Sequence, residues 1–427
     1  MALDFSKLPP EMRVPDAPPS YLVWTVVFLV LTLLGIFAVL LLWPASEPTQ
    51  TPWFWTCVSV FPAGFAALLV SRRYRHYEAI RCDAMEWNKA QKQYIKQAFD
   101  RESIPVLVLG CAMRVTDDDE TDGLGKIIDG TLTLDARAST HEDNQSISAR
   151  CLEPEDARFA ANDAERHARV LEWLYDRLLA DLAGAINALP VELALHVRLE
   201  VSGYAGTTDV LALWEQRWSA QKLHAAHPFL ATETPGLMAL DSWLDDPQGP
   251  LDKRALLLVS IGLQAGLDDA PQEGSAEAGI GLLLVSTSIS SRHSLRPVAA
   301  IHRPVQSQND RLDHAMTNAL RWGSTVVRDL GAAWMTGFNG ESVGPLHTAL
   351  SHAGASMPRD DALQEFNLDR AVGKAGQSAG WLAVACAAQM ASQAATPQLV
   401  AERSADLTFL SVVATHDQYL NNVSLSA

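Results

Sequence analysis

The sequence predicts an α/β fold with layered sheets, preceded by a two-helix membrane hairpin. Three observations carry this expectation. Two uncharged apolar runs stand near the start of the chain. From residue 104 onward, strand-like and helix-like segments alternate, the pattern of an α/β domain. The chain has 427 residues and 48% apolar composition, enough for one large domain.

The first run, Tyr21 to Trp43, is twenty-three residues without a charge. At a rise of ~1.5 Å per residue it spans a hydrocarbon core of ~30 Å. It exceeds the 7–15 apolar residues of a signal peptide, and no small-residue cleavage site follows it. The second run, Trp53 to Val70, is shorter and carries Pro62, which predicts a kink. Between them, residues 44–52 hold three prolines and the single charge of Glu47, a tight turn. Trp24, Trp43, Trp53 and Trp55 lie near run ends, where indoles favour the membrane interface.

The flanks set the orientation. Residues 72–101 carry eight basic side chains, Arg72, Arg73, Arg75 and Arg81 foremost, against four acidic ones. Positive charge stays inside, so residues 71 onward are expected in the cytoplasm, and two spans return the tail 1–20 to the same side. The first 101 residues hold ten basic and eight acidic side chains within a total of −17, which leaves −19 for residues 102–427. Positive beside the lipid and negative beyond it suits a membrane-anchored cytosolic domain. The expected division is a tail 1–20, a hairpin 21–70 (spans 21–43 and 53–70), a basic juxtamembrane helix 71–103 and a cytosolic domain 104–427.

Within that domain, IPVLVLGCAMRV (104–115) is an apolar run ended by an acidic turn, hence a buried strand. Residues 127–138 alternate and predict a strand or hairpin arm, and the polar stretch 139–156 predicts a loop. Asp163 to Leu189 has apolar residues at helical spacing, and Pro190 ends it. A strand is expected at 191–201, then a helix behind a Thr/Asp cap from Thr207. Strands follow at 254–263, 279–290 and 296–305. Helices are expected at 310–322, at 345–352 behind Pro345 and at 376–393, with strands at 332–338 and 407–415.

Composition closes off several functions. A pI of 5.1 lacks the basic stripes that phosphate backbones require, so nucleic acid is not an expected partner. The five cysteines are scattered without a CxxC, which excludes a disulfide scaffold and a thiolate zinc site. His224, His227, His347 and His352 lack the spacing of a metal motif, and no cofactor motif appears.

The order of pieces resembles the thiolase-like fold of β-ketoacyl synthases, two related βα halves packed as a five-layer α/β/α/β/α sandwich. Residues 104–115 look like the family's first strand, and 254–263 with 279–290 like the strands closing its first half. The best local match runs from Leu312 to Gln393. It ends in AVGKAGQSAGWLAVACAAQM, which looks like the family's glycine-rich GHTEAAAG helix start. The resemblance implies a Cys nucleophile at a helix start and two histidines. In this chain the first position matches the SGYAGTTDVLALW stretch, where Thr207 and Thr208 occupy the corner. The first histidine turn reads GFNGES, with Phe338 and Asn339, and the second histidine matches Lys374. Decarboxylative condensation needs a thiolate and two oxyanion-stabilising imidazoles, so the expectation is a scaffold without that chemistry. The family also pairs through a strand, which implies a homodimer.

Gly340 to Gly344 reads G-x-S-x-G and offers Ser342 as a hydrolase nucleophile, with His416 as the base in chain order. The alternative is a plain glycine turn. The arrangement of tail, hairpin and ketosynthase-like domain is similar to inner-membrane accessory proteins of type VI secretion effectors. That similarity implies a non-catalytic adaptor on the bacterial inner membrane, with both termini cytoplasmic. Its partner would be a secreted effector or a secretion-system component. An acyl-condensing or acyl-transfer enzyme, a serine hydrolase and an immunity protein are the other readings.

Overall fold

The computed structural model describes residues 9–118, 123–138, 146–206, 208–231, 236–246, 249–309, 311–354 and 363–415. The described residues divide into two compact units, 9–101 and 102–415.

In the smaller unit α1 (Tyr21–Leu42) is apolar on every side and buries none of its residues within the chain. The second apolar segment is α2 (Pro52–Trp55), a π-helical turn over Thr56–Val60, and α3 (Phe61–Glu102). Both segments are long and apolar enough to cross a membrane. The disturbance expected at Pro62 takes the form of that π turn, which absorbs the lost amide on its N-terminal side. Gly35 faces the same proline: a Cβ there would lie 2.6 Å from Pro62 Cβ, so the two apolar segments touch only because the residue is small. The tail lies along α3. Met12 N–H donates to Asn88 Oδ1 at 2.8 Å, Asn88 Nδ2 donates back to Met12 O at 2.9 Å, and Tyr74 OH donates to Pro19 O at 3.2 Å.

The larger unit repeats one topology twice. Its first half contains β1 (Val106–Arg114), α4 (Gly123–Ile128), the small hairpin β2 (Asp135–Ala138) and β3 (Ser146–Ala149), and α5 (Asp163–Asn187). It continues through β4 (Leu195–Ser202), α6 (Val210–Ala220), β5 (Ala226–Leu230), α7 (Met238–Asp245), β6 (Ala255–Gly262), β7 (Ala278–Ser286) and α8 (Thr287–His293). The second half runs through β8 (Ala299–Ile301), β9 (Val305–Gln308), α9 (Leu312–Trp322), β10 (Ala332–Thr336) and α10 (Val343–Gly354). It ends with β11 (Gln364–Asn367), α11 (Leu368–Ala371), α12 (Ala379–Ala394), β12 (Gln398–Ser404) and β13 (Leu407–Ala414).

The first-half strands lie in the order β1-β7-β6-β4-β5, and the second-half strands in the order β8/β9-β13-β12-β10-β11. In each half the first two pairings are antiparallel and the last two parallel. Three apolar clusters separate the layers. Helices α5 and α6 cover the outer face of the first half, and α9 and α10 that of the second. Helices α4, α7 and α12 fill the middle between residues of both sheets. This is the five-layer α/β/α/β/α thiolase-like sandwich. The sheets are also joined, because β8 pairs with β13 on one side and with β1 on the other.

Several expected boundaries shift. The segment 127–138 is not one strand: α4 runs to Ile128, and only Asp135–Ala138 is extended. The expected strand 296–305 splits into β8 and β9 around Pro304, which cannot donate to the ladder. The run 279–290 turns helical at Thr287. The stretch 139–156 contains β3, with 139–145 outside the described residues.

Candidate functional site

A cleft of about 620 Å³ opens in the second half between the loop after β10, the approach to α12 and the end of β12. Asn339, Arg370, Lys374, Glu402 and Arg403 line it, with Thr336 and Phe338 at the loop. The loop is pinned from three sides. Asp369 accepts from Thr336 Oγ1 and from Gly337 N–H, each at 2.8 Å. Asn367 Nδ2 donates to Phe338 O at 2.9 Å. Gly337 has φ +79°, and a Cβ there would sit 1.9 Å from Arg403 O, so only glycine makes the turn.

Glu402 was not singled out by the sequence. Its parity on β12 matches Val400, which lies in the middle layer. Its carboxyl sits against the start of α12: a Cβ at Gly380 would lie 2.4 Å from Glu402 Oε2. Burial pushes the carboxyl up to about 7, opposed only by the N–H of Leu237. Glu402 Oε2 is buried without a hydrogen-bond partner, and so is Arg403 Nε. Leu237 immediately precedes α7, so Glu402 ties the cleft at the head of α12 to the start of α7.

The structure brings Phe338, Asn339 and Lys374 to this one cleft. Phe338 itself is buried and packs into the outer cluster with Leu346 and Leu399. Thr208 is elsewhere, just before α6, and the residue that caps that helix is Asp209, whose Oδ1 accepts from Leu211 N–H at 2.9 Å. Thr207 lies outside the described residues. The repeat gives a reason to relocate the first matched corner. Helix α6 connects the second and third strands of its half, as α10 does in the other. The counterpart of α12 is α7, so by repeat order the matched corner is the start of α7 at Met238 rather than the threonine pair.

Ser342 opens α10. Its Oγ accepts from Asn339 N–H at 2.8 Å, while Asn339 Oδ1 accepts from Ser342 N–H at 2.8 Å. This mutual capping occupies the hydroxyl where a nucleophile would need a base. His416 lies outside the described residues. His347 and His352 sit on α10 and face different carboxylates, Glu365 at 2.8 Å and Asp313 at 3.2 Å. His224 bonds to Leu193 O at 2.9 Å. Cys111 is pushed up to about 12 by burial, far from a thiolate at neutral pH. Arg72, Arg73, Arg75 and Arg81 are exposed along α3, beyond the apolar stretch.

No protein-family model matches the sequence, and no curated protein matches it. Solved structures do. Ketosynthase domain KS7 of OzmH, from the oxazolomycin system of Streptomyces albus, is 12% identical, with a TM-score of 0.51 over 73% of this chain and 75% of that one. The ketosynthase from module 1 of the bacillaene synthase of Bacillus amyloliquefaciens is 10% identical, with a TM-score of 0.51 over 74% of each chain. At these identities the likeness shows the thiolase-like fold and nothing about chemistry.

Proposed function

We propose that this chain is a membrane-anchored, non-catalytic binding protein, an accessory adaptor for a type VI secretion effector at the bacterial inner membrane. One observation carries the non-catalytic part. The cleft where the resemblance calls for a thiol and two imidazoles is lined by Phe338, Asn339 and Lys374, and by neither Cys nor His among the described residues. The lining offers no thiolate nucleophile and no imidazole for carbon–carbon bond formation. The anchoring part is supported by two apolar segments whose outer flanks, the tail and α3, bond to each other along one side. The exposed arginines after the second segment give that side its positive charge. Tethering an adaptor there raises the effective concentration of its client at the membrane. A homodimer would use the edge strand β5, where Phe229 and Leu230 are half-exposed to exposed.

The test is a crosslinked pull-down of the full-length protein from its native membrane, read by mass spectrometry. Enrichment of a secreted effector or a secretion-system component is the expected result. The ketosynthase fold favours one competitor, an acyl-condensing enzyme. Enrichment of an acyl carrier protein in place of a secretion component would overturn the adaptor reading in its favour.

A further inference from the structure

We propose that the cleft at the head of α12 binds a small phosphate-bearing dianion, clasped by Arg370, Lys374 and Arg403. The inference stands on the cleft and not on the adaptor reading.

Several guanidinium groups of this acidic unit meet carboxylates. Arg114 meets Asp181 at 2.7 Å, Arg166 meets Glu277 at 2.7 Å, Arg217 meets Glu172 at 2.7 Å and Arg303 meets Asp241 at 2.7 Å. Arg370, Lys374 and Arg403 depart from this. All three line one concavity, and none makes an ion pair among the described residues. The carboxylates nearby are bonded to other groups and make no ion pair with them. Asp369 spends its two oxygens on Thr336 and Gly337. Glu402 is held by Leu237 N–H. Arg403 Nε is buried with no acceptor, a donor left open inside the protein at a penalty unless a ligand meets it.

The remaining wall favours the same charge. Helix α12 has sixteen residues and starts at the cleft with no side-chain cap and no acidic residue in its first turn. Its N-terminal partial charge is therefore unscreened by its own sequence. The titratable groups facing the cleft are Asp369, Arg370, Lys374, Glu402 and Arg403. Three cations exceed two carboxylates, and protonation of Glu402 widens the excess and supplies an O–H donor. Two guanidinium groups and an ammonium match the oxygens of a phosphate monoester. Its bearer is either a soluble metabolite or a phospholipid headgroup.

The test uses the full-length protein in phosphatidylcholine nanodiscs, with inorganic phosphate as the probe. Thermal unfolding is followed in sodium phosphate and in sodium chloride of equal ionic strength. Phosphate is expected to raise the midpoint by about 2–4 °C at saturation. The double variant Arg370→Ala/Lys374→Ala removes two exposed side chains, so its midpoint in chloride should stay within about 1 °C of the parent. It should lose the phosphate shift. A second arm replaces part of the phosphatidylcholine by phosphatidic acid without free phosphate. A shift there assigns the headgroup, and a shift only with free phosphate assigns a soluble ligand. No shift in the parent, or an equal shift in parent and double variant, overturns the proposal. If the double variant is unfolded, Arg370→Gln alone provides the comparison.

Discussion

Each half of the domain turns one carboxylate into the middle layer, and the two are treated oppositely. Glu200 on β4 is 4% exposed and fully engaged: Arg198 Nε donates to Oε1 at 2.7 Å, and Trp381 Nε1 donates to Oε2 at 3.1 Å. Arg198 also stands over Trp243, 5.6 Å from the ring centroid, and Trp243 stacks on Trp381 at 6.0 Å. Glu402 on β12 has one backbone donor and an oxygen with none. A satisfied buried carboxylate locks the short α7 to α12 and both to β4. An unsatisfied one is tolerated only where something else depends on it. The difference separates structure from function within a single layer.

The largest effect should come from breaking the satisfied side. Arg198→Ala leaves Glu200 charged, buried and without its cation, so we expect a loss of about 3–5 kcal/mol in urea unfolding of the full chain in detergent. A loss below about 1 kcal/mol would mean that water reaches the pair, and the comparison would fail. Trp381→Phe removes only the neutral donor and one stacking partner. The expected loss is about 2 kcal/mol by the same measurement.

How much of this contrast was legible in the sequence depended on run length and parity. Strands β1, β6 and β7 are apolar runs buried on both faces, and α5 keeps its stripe for twenty-five residues, so the order of layers could be read. Strands β5 and β11 could not. They are edge strands of five and four residues with mixed polarity, and pairing alone makes them strands. Helix α7 was hidden too, being eight residues long with Leu237 where a capping side chain would stand. The glycines around Phe338 and Lys374 marked those positions as turns. Glu402 and Arg403 carry no such mark. They lie on β12, a strand the sequence did not lead us to expect, whose alternation ties one face to the middle layer and the other to the outer cluster. The threonine pair misled because a Thr/Asp corner before a helix looks alike in an outer and a central helix, and only the repeat order tells them apart.

Sharpening the unsatisfied side gives a smaller effect with a defined pH window. The folded-state pKa of Glu402, about 7, lies above the ordinary carboxylate value of 4.5. The folded protein therefore holds a proton that the unfolded chain releases between those values. Stability from this group is complete below about 4.5, falls as pH rises and is lost above about 7. Glu402→Gln should flatten that segment and stabilise the protein at pH 8 by about 1–3 kcal/mol, seen as a pH-dependent gap between the two denaturation midpoints. A variant equally destabilised at every pH would show Glu402 to be an ordinary packing residue.

The smallest expected change is the one that divides the two carboxylates most cleanly. Sulfate does not titrate in this range, so any pH dependence of its binding belongs to the protein. Among the groups lining the cleft, Glu402 is the one whose carboxyl burial pushes up to about 7, inside this range. The midpoint shift produced by sulfate should therefore shrink by about half or more between pH 6 and pH 8 in the parent protein, as a carboxylate appears beside the anion. In Glu402→Gln the shift should be the same at both values. Glu200 does not line the cleft and has both oxygens bonded within the protein, so it makes no contact with the anion. A sulfate shift that falls equally in Glu402→Gln would place the titrating group outside the cleft and erase the distinction between the two halves.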